Sequence, residues 1–160
     1  YREGKYAESI AICIQEIQEN PENLDSYAVL CWGLVSNRQY SEAEYWSTKG
    51  RSVSKYDPRL VEIQAEAKYY LAQIYFDNKK YDECEKEVLN YIEVSTPHSY
   101  WLARSFVLLS DLYMKQDRKA EAKQYLLTLK NNYSGNDDIA GLIKERLDKL
   151  AAEEQETVAQ

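Results

Sequence analysis

Residues 78–86 read NKKYDECEK. Nearly the same nine letters stand at 37–45 as NRQYSEAEY and at 3–11 as EGKYAESIA, and a worn copy stands at 116–124 as QDRKAEAKQ. Aligned on the aromatic position, the copies give Tyr6, Tyr40 and Tyr81, with Lys119 in the fourth place. Three residues further on comes a small side chain each time: Ser9, Ala43, Cys84 and Ala122. Two helices approach closely only where one offers a small residue and a bulky one opposite fills the space. A bulky and slender pair recurring in phase therefore predicts helices that pack as successive hairpins.

Working outward, the three prolines fall at Asn20-Pro21, Asp57-Pro58 and Thr96-Pro97. Each pairs a side-chain acceptor with a residue whose missing N–H costs nothing in a first helical turn, the pattern of an N-cap followed by proline. Apolar residues of helical period follow each one, for example Leu24, Tyr27, Leu30, Cys31 and Leu34 after Asn20. The nine-letter motif then opens a second helix after a short polar turn. The pattern predicts helices over 5–19, 22–36, 39–54, 58–77, 80–95, 98–116, 118–132 and 137–153, and no strand.

Spacing and packing together carry a family resemblance. Tyr6 to Tyr40 is 34 residues. The first helices repeat a large, small, large pattern in Leu30/Cys31/Leu34, Leu71/Ala72/Tyr75 and Leu109/Ser110/Tyr113. The second helices repeat an aromatic, a small residue and a closing proline in Tyr6/Ser9/Pro21, Tyr40/Ala43/Pro58 and Tyr81/Cys84/Pro97. In these features residues 1–134 resemble the tetratricopeptide repeat. The resemblance implies an all-α fold, a right-handed helical-hairpin solenoid. Its expected parts are a half repeat at 1–21, units at 22–57, 58–96 and 97–134, and a capping helix at 136–153. Because Tyr1 falls inside a unit, the numbered chain reads as a fragment.

The departures are informative. The later motif spacings, Tyr40 to Tyr81 and Tyr81 to Lys119, are longer than the first. The first helices after Pro58 and Pro97 carry three or four extra residues relative to the one after Pro21, about one turn, so the buried face keeps its direction. The large aromatic expected early in the first helix is Tyr27 and Phe106 in two units, but Lys68 in the third. Such irregularity also fits a second origin, an engineered chimera of two repeat fragments joined through a shared helix near Ile63.

After Gly135 the repeat stops. Asn136 can cap a helix with Asp137 and Asp138 in its first turn, favourable at the positive end of the dipole. Ile139, Leu142, Ile143, Leu147 and Leu150 form one apolar stripe, suited to covering the open end of a stack. The polar tail at 154–160 is expected to fray.

Composition bounds the function. The net charge of −7 repels a phosphate backbone, and Lys79-Lys80 and Arg118-Lys119 are short pairs beside turns, so nucleic acid is not expected as a partner. No apolar run approaches the length of a membrane helix. Three unclustered cysteines, Cys13, Cys31 and Cys84, argue against a disulfide framework or zinc site and read as buried thiols. A reduced compartment such as the cytoplasm suits them. The single histidine, His98, follows Pro97 at a helix start. No HExxH, CxxC, glycine-rich phosphate loop or GxSxG is present, so no catalytic, metal or cofactor residue is assigned.

The resemblance implies a concave groove lined by the first helix of each unit. By register its positions are Ala28, Trp32 and Val35, then Tyr69, Gln73 and Phe76, then Arg104, Asp111 and Met114. Aromatics and Arg suit protein binding. Trp32 and Phe76 have two readings, as groove contacts or as packing against neighbouring helices. Arg104 beside Asp111 and Glu66 is too little positive charge to grip a C-terminal carboxylate. The function expected is a non-enzymatic scaffold for a protein or peptide segment. The alternative is a chimeric helical chain with no natural ligand. The first hairpin leaves apolar surface on which a second copy could pack, as a homodimer.

Overall fold

The computed structural model describes the backbone of residues 2–93 and 99–159, and the side chains of 5–91 and 100–158. The described residues form eight α-helices and no strand. They are α1 (Arg2–Glu19), α2 (Leu24–Ser36), α3 (Tyr40–Val53), α4 (Pro58–Asp77), α5 (Tyr81–Glu93), α6 (Ser99–Lys115), α7 (Lys119–Asn132) and α8 (Ile139–Ala159). Thr96, Pro97 and His98, read above as a helix start, lie outside the described residues.

The chain divides into two compact units, and the boundary falls inside α4, between Leu71 and Ala72. In the first unit α1, α2, α3 and most of α4 share one core. Leu30, Cys31, Leu34 and Ala43 form its centre, with Cys13 and Ile17 from α1 and Leu60, Ile63 and Ala67 from α4. Gly50 on α3 sets the closeness of approach. A Cβ there would stand 2.7 Å from Leu60 Cδ1 and 3.1 Å from Tyr27 Cβ. Any side chain there would force Leu60 and Tyr27 to shift.

The two prolines within the described residues behave differently. Pro58 is the first residue of α4, and the Asp57 carboxylate accepts from the Arg59 backbone N–H at 3.0 Å, the expected cap. Asn20 is not the cap of α2. It closes an Asx turn onto the Glu22 N–H, and Asn23 caps the helix by accepting from Ser26 N–H. Pro21 stays in the turn, where its carbonyl accepts from the Tyr27 hydroxyl at 2.9 Å. A second acceptor, two residues after the proline, displaced the start.

The second unit holds the end of α4 from Ala72 to Asp77 together with α5, α6, α7 and α8. Ala103 and Val107 of α6, Leu126 and Leu129 of α7, and Ile139, Ile143 and Leu150 of α8 make one buried cluster. The apolar stripe of α8 thus covers α6 and α7 as expected. The helix runs on to Ala159, so the tail expected to fray from 154 continues it; Lys123 reaches Glu154 and Lys119 reaches Glu153.

The repeated motif has a geometric counterpart. Ahead of α3, α5 and α7 one residue takes the left-handed conformation: Arg38, Lys79 and Asp117, with φ of 59°, 60° and 58°. Each is followed by the same pair of bonds. Gln39 N–H reaches Leu34 O while Arg38 N–H reaches Val35 O; Lys80 and Lys79 repeat this to Tyr75 and Phe76, and Arg118 and Asp117 to Tyr113 and Met114. This is a left-handed helix stop. The slender positions Ala43, Cys84 and Ala122 are fully buried at each following helix. The three cysteines are buried free thiols, and burial pushes Cys31 and Cys84 up to about 12.

Candidate functional site

In the first unit the predicted groove positions separate. Ala28 is buried in the core, and Val35 is half-buried against it. Trp32 is 46% exposed on α2 and is not a core residue. Tyr69 is buried, its ring 5.4 Å from that of Tyr70 with the planes 65° apart, and so cannot line an open groove. The register placed it in the groove, whereas it stands among the buried residues of α4. Beside it, Tyr40 stacks on Tyr70 at 4.9 Å.

In the second unit Gln73 is half-buried and donates to Asp77 at 3.0 Å. Phe76 is half-buried, with its ring 5.8 Å from that of the motif residue Tyr81. The three α6 positions are already engaged by α8 and the turn before it. Arg104 donates to Asp138 at 3.1 Å and to the Tyr100 hydroxyl at 3.2 Å. Asp111 accepts both Nε and Nη2 of Arg146, at 2.7 and 3.0 Å. Met114 is half-buried against the cluster that Leu142 and Leu147 complete. These three residues are therefore corrected from open groove to docking surface for α8.

The signal for that correction was present but distant. A side chain 35 residues further on answers Asp111, with the planar fork that suits a carboxylate. The same unit has a second polar anchor, where the Tyr113 hydroxyl donates to Glu85 at 2.9 Å and the Arg118 guanidinium lies 4.0 Å over the Tyr113 ring. Among the described residues, no group of three or more His, Cys, Asp or Glu could hold a metal ion, and no helix is long and apolar enough to cross a membrane.

Helical hairpins with a repeated stop, slender buried positions in register and a terminal covering helix define a helical-repeat protein of the tetratricopeptide class, the solenoid class read from the motif. A family described as anaphase promoting complex subunit 8 / Cdc23 matches residues 10–160, and the chain belongs to that family. It is a tetratricopeptide-repeat family of non-catalytic scaffold subunits that act by protein–protein interaction within a complex. No individual curated protein matched the chain.

Proposed function

We propose that this chain is a non-enzymatic scaffold that holds protein segments on its first helices, with Trp32 and Val35 as contacts on the first unit and, taken by itself, Gln73 and Phe76 on the second. The exposure of Trp32 carries the reading. A large indole kept half in water on a helix whose other faces are packed gives a partner much contact area for little lost freedom. Arg104, Asp111 and Met114 contribute by seating α8 rather than by touching the partner. No carboxylate grip operates, because the Arg104 guanidinium is committed to Asp138.

Trp32→Ala and Phe76→Ala test it, each followed by thermal melting and by capture of a partner that the unaltered chain retains. An unchanged melt with capture lost supports the groove. An earlier melt with capture kept, or an unaltered chain that retains no partner, refutes it.

The second reading, a chimera without a ligand, draws on the uneven motif spacing alone, and the match of one family across residues 10–160, through the supposed junction near Ile63, weighs against it. A single natural chain matching residues 1–63 and 64–160 alike would end it.

A further inference from the structure

We propose that the outer face of the α1–α2 hairpin docks a basic amphipathic helix. The two helices run antiparallel and leave between them an open cleft of about 650 Å³. Its floor is apolar: Ile12 is 56% and Val29 42% exposed, although Cys13 and Ile17 beside Ile12 are buried in the core. Ile12 and Val29 are two of the ten large apolar side chains left exposed in the described residues, and they stand side by side on this face. A floor running along two helices fits a third helix laid into the groove between them.

The rim states the partner's charge. Glu8, Glu16 and Asp25 line the cleft, against the single ammonium of Lys5. Glu16 is fixed by the Ser26 hydroxyl at 2.8 Å, and Asp25 by Arg59 at 2.6 Å. Glu8 carries no bond among the described residues. With Asp25 already paired to Arg59, the Glu8 and Glu16 carboxylates beside the apolar floor are the ones that attract lysine or arginine flanking an apolar stripe. A second copy of this chain would bring Glu8 and Glu16 against their own counterparts, so self-association on this face is disfavoured and a basic partner is selected. The inference stands apart from the groove, since it uses α1 and α2 alone.

The probe is a fluorescein-labelled helical peptide of about four turns, with a leucine stripe flanked by lysines, and a counterpart flanked by glutamates. Both are titrated onto the 160-residue chain by anisotropy. The lysine peptide should bind about tenfold more tightly than the glutamate peptide, and added salt should weaken it. The double variant Ile12→Ser/Val29→Ser should lose that binding with an unchanged melt, while Glu8→Lys should narrow the preference. Phe76→Ala should leave binding intact, so failure of the groove and failure of this face give different results. Equal binding of both peptides, or binding that survives the double serine variant, overturns the proposal. So does a dimer, seen by sedimentation equilibrium, that Ile12→Ser dissociates, because a second copy would then be the occupant.

Discussion

Lys68 on α4 is 5% exposed, and its ammonium lies 3.0 Å from the carboxylate of Glu44 on α3. One turn earlier on α4, Gln64 is equally buried; its amide nitrogen donates to the Thr48 hydroxyl at 2.9 Å and its oxygen accepts from Arg51 at 2.5 Å. The two helices therefore meet along a polar seam, at the position where the repeat pattern calls for an aromatic. Each buried polar group finds a partner across the seam, which is the condition for keeping it there.

That seam should respond asymmetrically to substitution. Glu44→Ala removes a carboxylate from beside a buried ammonium, and we expect a loss of about 1–3 kcal/mol, below the 3–5 of a fully enclosed pair because the Glu44 side chain is 27% exposed. The joint change Lys68→Met/Glu44→Leu should fall within about 1 kcal/mol of the unaltered chain, since it removes the desolvation cost along with the attraction. Urea unfolding measures both. A Glu44→Ala loss under about 0.5 kcal/mol would show the ion pair to be solvated.

The limits of legibility follow from the range of each interaction. α4 begins and ends at Pro58 and Asp77 as read, because its cap and apolar period are local. The same signal misplaced α2, where Asn23 competes with Asn20 and a hydroxyl seven residues from Asn20 holds Pro21 in the turn. The α6 positions were misread for a longer-range reason. Nothing near Arg104 or Asp111 reveals that Asp138 and Arg146 will arrive to neutralise them.

The left-handed residues give a prediction of opposite sign. Arg38 and Lys79 carry side chains at φ near +60°, a conformation in which a Cβ is crowded by the following carbonyl. Glycine relieves that crowding but adds freedom to the unfolded chain. The net gain for Arg38→Gly or Lys79→Gly should be about 0.5–1 kcal/mol each, read as a rise in melting temperature. Alanine at either site, which keeps the Cβ, should not give it. A fall in melting temperature with glycine would mean that the side chains stabilise the stop.

Asp57 should make the start of α4 sensitive to acid. The Arg59 guanidinium, bonded at 2.9 Å, holds the Asp57 carboxyl below its ordinary value. A depressed carboxyl binds fewer protons folded than unfolded, so its contribution is complete above the unfolded value near 3.8 and is lost as pH falls below it. Asp57→Asn keeps a capping acceptor and removes the charge. The unaltered chain should be more stable by about 1 kcal/mol near pH 6, and the gap should close toward roughly pH 3. A gap that stays constant with pH would assign the effect to packing.

Arg146 is expected to latch α8 onto α6. Its guanidinium grips Asp111 through two nitrogens and also donates to the Leu142 carbonyl at 3.1 Å, tying the ion pair to its own helix one turn back. Lysine cannot reproduce that fork, so Arg146→Lys should recover only part of what Arg146→Ala loses. With both side chains about three-quarters buried, the alanine change should cost about 1–2 kcal/mol. The loss should be local at first: amide exchange should quicken along residues 139–150 before it does in α7, whose own contacts to Glu153 and Glu154 are untouched. Asp111→Asn should mimic Arg146→Ala, and adding the second change to the first should cost little more. Additive losses would mean that the two residues act separately and that the apolar stripe alone seats the helix.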